Sequence, residues 1–390
     1  MKSIYKFFII ALILGIIAWI VYFVVSKNST PIELIEDTST STTTEVIDIS
    51  DTGGEDTSTS TSEQAPIEAI SENEDYESEQ IKTSFSELKK ISDVPAKFYW
   101  YYAENNRIFY ITDEGQIKKV IDGKSEQVSI NPLKNVTITR SNRGGSFVLL
   151  RFITDSGVVW GVFSSMDEKI TPLNSSIVDA VWAFNNQDVT ATVNKNGKVS
   201  VLSFPSLKAF NENTVLIPEI KLLDVDMVEK SQDELLFVEK TGTGYTTSIW
   251  QYNKKTKIFS IIKTGLLDFS LNPTPSSYFF SSKNEGFIIG NNNFARLVPT
   301  IHETLPEKCS SVLTTVFCFT PQKPIQLFDW LTSSIFSSDS LYVYDLYSQT
   351  ENEVDLQKIT QTAIDAKNII PTYFSLYFIN KYDNFIYALN

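Results

Sequence analysis

Three stretches decide the fold: RIFYITDEGQIKKVI (107–121), FVLLRFITDSGVVWGVF (147–163) and DVTATVNKNGKVSVLSF (188–204). In each, a run rich in Val, Ile and aromatic residues meets a polar turn with Asp or Asn ahead of Gly, and a second such run follows. This pattern predicts a β-hairpin, because a tight turn matched to strand twist needs positive φ, which Gly, Asn and Asp tolerate best. The unit recurs as ELLFVEKTGTGYTTSIWQY (234–252), SYFFSSKNEGFIIG (277–290), the interrupted pair VFCFTPQ and SLYVYDLY (316–322, 340–347), and SLYFINKYDNFIYAL (375–389). That makes seven units. Their first β residues (Ile108, Phe147, Val189, Leu235, Tyr278, Val316, Leu376) are spaced by 39, 42, 46, 43, 38 and 60 residues.

Between the hairpins lie further short strands: polar-ended ones such as KIFSII, and apolar ones containing Asp, as in IVDAVWAF (177–184) and LLDVDMV (222–228). Four strands repeating near every 40 residues is the spacing of a propeller blade. The fold expected is therefore all-β, a seven-bladed β-propeller over residues 84–390. Its last unit stops after a third strand at Asn390, while SFSELKKISDVPAKF (84–98) reads as an outer strand with no hairpin before it. Pairing the two would close the ring and remove an exposed sheet edge.

Upstream, Phe7–Val25 (FFIIALILGIIAWIVYFVV) is nineteen residues without a charge, about 28 Å as helix and enough to span a bilayer. Bulky residues stand where a cleavage site needs small ones, so residues 1–25 are expected to be an uncleaved transmembrane anchor. Lys2 and Lys6 precede the span and acid dominates after it, which places the N-terminus in the cytoplasm and the remainder outside. Residues 26–83 are a Ser/Thr-rich linker with 15 acidic residues against Lys27 and Lys82, expected to be disordered. Almost all of the chain's net charge of −14 resides there. The propeller itself is nearly neutral.

The units together with Ile91, Ser92, Asp93 and Pro95, and the closing IDAKNIIPTYFSLYFINKYDNFIYALN, resemble TolB-like and WD-repeat-like β-propellers. More closely, the chain resembles membrane-anchored propeller proteins of uncultivated small-genome bacteria, whose penultimate blade carries a KC, YC and DW signature. Here that blade reads KCSSVLTTVFCF (308–319), then LFDWL (327–331). The resemblance covers residues 84–390 and implies the fold rather than an activity. The Trp-Asp dipeptides of better-known relatives are missing, so no interaction site carries over.

Four groups of residues are candidates for function. Cys309 and Cys318, the only two cysteines, face each other if the hairpin turns at Leu313 and Thr314. They would form a disulfide or pack as two reduced small hydrophobes. The insertion 320–338, which accounts for the 60-residue interval, bunches Leu327, Phe328, Trp330, Leu331, Ile335 and Phe336. These would bind a partner, or fold back over the blade or channel. Asp179, Asp224, Asp226, Asp268 and Asp365 fall in presumed innermost strands, where they could ring the channel, holding a cation or acting as paired acid and base; otherwise they satisfy nearby turns. His302, the single histidine, shows no partner in sequence.

One His leaves no room for a His-dependent triad together with a His-based metal site. There is no GxGxxG, GxxxxGK, HExxH or GxSxG motif, so no cofactor or metal is expected. The absence of a basic cluster argues against nucleic acid. The reading is a membrane-anchored extracytoplasmic module that binds or scaffolds another envelope protein, not an enzyme. The alternative is a glycan hydrolase or lyase working through channel carboxylates.

Overall fold

The structure, a computed structural model, describes residues 81–129, 131–204, 213–221, 225–240, 244–274, 277–291, 293–298, 302–332 and 334–390. The expected anchor, nearly all of the linker and Asp224 lie outside the described residues. Among those described, no helix is long and apolar enough to cross a membrane.

Seven antiparallel sheets are formed among the described residues. They are blade 1 (98–127), blade 2 (134–172), blade 3 (177–220), blade 4 (225–267), blade 5 (270–290), blade 6 (309–354) and blade 7 (366–389 with 88–90). Six have four strands in the order in which they leave the channel, and blade 5 shows three. The turn at Asn196 and Gly197 has φ of 54° and 80°, the doubly positive geometry that joins Lys195 to Lys198 without splaying the strands.

Seven buried clusters lie between neighbouring blades. One joins Trp160 of blade 2 to Trp182 of blade 3, another joins Phe319 of blade 6 to Phe378 of blade 7, and another joins Tyr110 of blade 1 to Ile379 of blade 7. Alternation along each strand supplies both of its faces, so each blade is held by its two neighbours.

The ring closes as the sequence predicts. Leu88, Lys89 and Lys90 pair with Leu389, Ala388 and Tyr387. The following ISD motif continues the closure: Ile91 N–H donates to Ile386 O at 2.8 Å, and Ile386 N–H donates to the buried Ser92 Oγ at 3.0 Å. Tyr110 donates its hydroxyl proton to Asp93 at 2.9 Å.

Antiparallel strands give the ring two faces. The upper face carries the turns between second and third strands together with the blade-to-blade connections, so that Leu133 N–H, in the first connection, donates to Gly115 O in a blade 1 turn. At Gly115, φ is +82° and a Cβ would lie 1.8 Å from that Leu133 oxygen, which only glycine permits. The lower face carries the remaining turns, as where Asn142 and Arg143 of blade 2 hydrogen-bond to Asn186 of blade 3. The chain enters on this lower face, where Lys82 N–H donates to Tyr373 O.

Removing the Ser92 hydroxyl leaves a buried amide without its acceptor. Ser92→Ala should cost about 1–2 kcal/mol, read as a lower urea midpoint; an unchanged midpoint would show that the closure does not use this bond.

Candidate site at the channel mouth and the blade 6 insertion

The insertion sits on the upper face between the second and third strands of blade 6. It holds one short helix, Leu327–Leu331. Trp330, expected among the partner-binding residues, is instead 2% exposed. Its indole N–H donates to Asp365 Oδ1 at 2.7 Å, and the ammonium groups of Lys308 and Lys381 each lie 4.8 Å from its ring. Burial of the ring is favoured by its area, and the N–H finds a charged acceptor.

Around that contact lies a closed polar cluster. Lys308, fully buried, places Nζ 2.6 Å from both Asp339 Oδ2 and Asp365 Oδ1 and 2.9 Å from Ser337 Oγ. Asp365 also accepts Ser337 N–H at 3.0 Å, and Asp339 accepts Ala366 N–H at 2.9 Å. Lys381 donates to Trp330 O and, at 2.8 Å, to Ile335 O. Two ammoniums and two carboxylates balance, as buried charge must. Burial works to raise the carboxyl of Asp365, but Lys308, Trp330 and Ser337 hold it below the usual carboxylate range. Burial dominates at Asp339 and pushes it up despite Lys308; burial likewise lowers Lys381.

The cluster accounts for the KC and DW signature, because Lys308 and Trp330 meet on Asp365 of the next blade's connection. It also corrects the reading of Asp365 as a channel carboxylate: every route to it is taken. Beside Lys308, Cys309 and Cys318 are joined by a disulfide with Cα atoms 4.2 Å apart.

Other apolar side chains of the insertion are not fully buried. Phe328 is 60% and Phe336 46% exposed, while Leu327 and Ile335 are half-buried. Phe336 stacks on Tyr382 of blade 7 at 5.1 Å. The side chain of Leu331 lies outside the description.

Against the insertion opens a cavity of about 880 Å³ at the channel mouth, walled by Leu327 and Phe328 on one side and by blades 4 and 5 on the other. Asp226, Asp268, Glu303 and Glu307 line it with Arg140, Lys240 and Lys283. Of the two readings of the inner aspartates, the contacts fit the one in which they satisfy neighbouring groups. Arg140 ties Asp179 at 2.7 Å and Asp226 at 3.5 Å, with Lys240 3.0 Å from Asp226. Asp268, in a tight turn at φ 52°, accepts Gly244 N–H at 2.6 Å. Among the described residues there is no group of three or more His, Cys, Asp or Glu placed to hold a metal ion.

Glu307 was not legible as a site residue. Its Oε1 accepts the Ser270 hydroxyl at 2.5 Å, its Oε2 is buried without a hydrogen-bond partner among the described residues, and burial raises its carboxyl. The one available signal was its place beside Lys308 in PEKC. His302 also differs from expectation: Nε2 lies 2.9 Å from Glu351 Oε1 and the ring stacks on Tyr342 at 3.8 Å.

No family model matches the chain, and no curated protein matches it in sequence. Solved structures do match in fold. The chain is similar to an oligogalacturonate lyase solved with manganese (TM-score 0.51, 10% identity, 79% of this chain and 94% of that one). It is similar to the propeller domain of Cps50 (Swd1) from Myceliophteria thermophila (TM-score 0.47, 10% identity, 77% and 98%). It is also similar to the tricorn protease (TM-score 0.46, 11% identity), where it covers 78% of its own length but only 34% of that chain.

The described chain is thus a seven-bladed β-propeller. The expectation that it is not an enzyme is corrected: its fold neighbours include a lyase, so the fold is consistent with catalysis as well as with binding.

Two outcomes are expected at this site. Lys308→Met leaves two buried carboxylates facing each other and should cost about 3–5 kcal/mol, seen as a lower denaturation midpoint. Glu307 is raised in the folded state above its unfolded value of about 4.3, so the folded chain holds the extra proton and stability falls as pH rises through that window. Glu307→Gln should therefore raise the urea midpoint at neutral pH and leave it unchanged in acid below the unfolded value. Equal effects at both pH values would show that Glu307 carries no burial penalty.

Proposed function

We propose that this propeller is a membrane-anchored, extracytoplasmic protein-binding or scaffolding module of the cell envelope, and that it binds through its upper face. The observation that carries the reading is the pairing of rigidity with exposure in the insertion. Trp330 and the charge cluster fix the loop, while Phe328 faces solvent beside a cavity and Phe336 is exposed against Tyr382. Tyr382 at 47% and Tyr245 at 69% exposure lie on the same face. Aromatic side chains on a preorganised loop give contact area at low entropic cost on binding.

The apolar run Phe7–Val25, with Lys2 and Lys6 ahead of it, supports anchoring with the N-terminus in the cytoplasm.

A photoreactive side chain in place of Phe328 should capture a specific protein in native membranes, with a matched probe at the buried Trp160 capturing none. A Phe328 probe as silent as the Trp160 probe would overturn the reading.

Glu307 favours a second reading, a glycan hydrolase or lyase. A carboxyl raised by burial at the edge of a cavity that also holds Asp226 and Glu303 has the character of a general acid. On that reading the chain cleaves an acidic or neutral glycan, and Glu307→Gln abolishes release of new chain ends. A glycan panel left intact by the unaltered chain would remove it.

A further inference from the structure

The lower face presents a second surface that the binding reading does not use. Large apolar side chains project from the turn tips of four blades: Met166 (66% exposed) in blade 2, Phe184 (47%) in blade 3, Leu313 (58%) and Tyr347 (90%) in blade 6, and Tyr373 (38%) and Phe374 (66%) in blade 7. Their positions are fixed by turn geometry. Leu313 takes φ 51° at its hairpin tip, and Leu346 N–H donates to Thr314 O, setting Tyr347 beside that tip. Thr372 and Ser375 close the turn that carries Tyr373 and Phe374.

The point at which the chain enters lies within this surface. Lys82 N–H donates to Tyr373 O, Ser86 and Glu87 N–H donate to Asn390 O, and Phe85 packs on Phe317 at 6.3 Å. Ile81 and Lys82, where the described chain begins, therefore lie at this face. A partner that meets tips on blades 2, 3, 6 and 7 at once must be broad and nearly flat, and aromatic side chains favour the boundary between lipid headgroups and acyl chains. We infer that the lower face rests on a lipid surface, which directs the upper face away from it. This rests on the anchored reading of the chain.

Charge is not the attachment. Glu104, Asp167 and Asp188 share the lower-face turns with Arg143, Lys255 and Lys257, so neither sign prevails, and contact comes from partition of the apolar tips and persists at high salt.

The test uses the full chain reconstituted in phosphatidylcholine vesicles, with a benzophenone side chain in place of Phe374 or, on the opposite face, of Phe328. Both positions are exposed, so neither probe disturbs the core. Lipid adducts several-fold more abundant from position 374 than from 328, unchanged at high salt, are expected. Equal lipid labelling from both positions, or an adduct from 374 to a second copy of the chain, overturns the inference while leaving the anchor intact. A chain that fails to float with the vesicles overturns the anchored reading and this inference with it.

Discussion

Lys308 is buried to zero exposure, and it is tolerated there only because Asp339 and Asp365 each stand 2.6 Å from its ammonium. An uncompensated charge at that depth would cost several kcal/mol, so the three side chains must assemble together or not at all. They come from different parts of the chain: the approach to blade 6, its third strand, and the connection to blade 7. Through Asp365 the cluster takes hold of Trp330, and through Lys381 it takes hold of the backbone at Trp330 and Ile335. A loop of nineteen residues (320–338) that would otherwise cost considerable entropy to order becomes a fixed part of the upper face.

Two consequences for function follow from that anchoring. The part of the insertion that is apolar and exposed is also the part held still, which suits recognition of another macromolecule. The charges lining the neighbouring cavity are largely neutralised by one another, since Arg140 engages Asp179 and Asp226 and Lys240 also engages Asp226. Chemistry at the mouth, if the propeller performs any, therefore falls to Glu307 rather than to the aspartates of the inner strands. The two faces also differ in that the described chain enters on the lower one.

The blades were legible because their signals are local. Asn-Gly and related turns flanked by β-branched runs report hairpins directly, and the missing outer strand of the last unit matched the orphan strand at 84–98. The spacing of Cys309 and Cys318 about one turn was likewise enough to place them opposite each other. Side-chain fate on the insertion was not legible. Trp330 and Phe328 are two residues apart on a short helix, and what separates them is Asp365, contributed by the next blade's connection, to which composition gives no clue. The partners of the inner aspartates were not legible for the same reason. Asp179 and Asp226 carry the signature of a carboxylate ring, but their partner Arg140 lies 39 and 86 residues away. Glu307 has no sequence signal beyond adjacency to Lys308, since its raised carboxyl results from burial by other blades.

Hydrogen exchange in the insertion tests the anchoring most directly. The Trp330 amide donates to Gln326 O and the Thr332 amide to Phe328 O, each at 3.0 Å, and both bonds depend on the helix that Asp365 secures. In the Asp365→Asn chain these two amides should exchange much faster than in the unaltered protein, while amides of the blade 2 strand around Leu149 and Leu150 keep their protection. Unchanged protection at Trp330 and Thr332 would contradict the claim that the buried cluster holds the insertion in place.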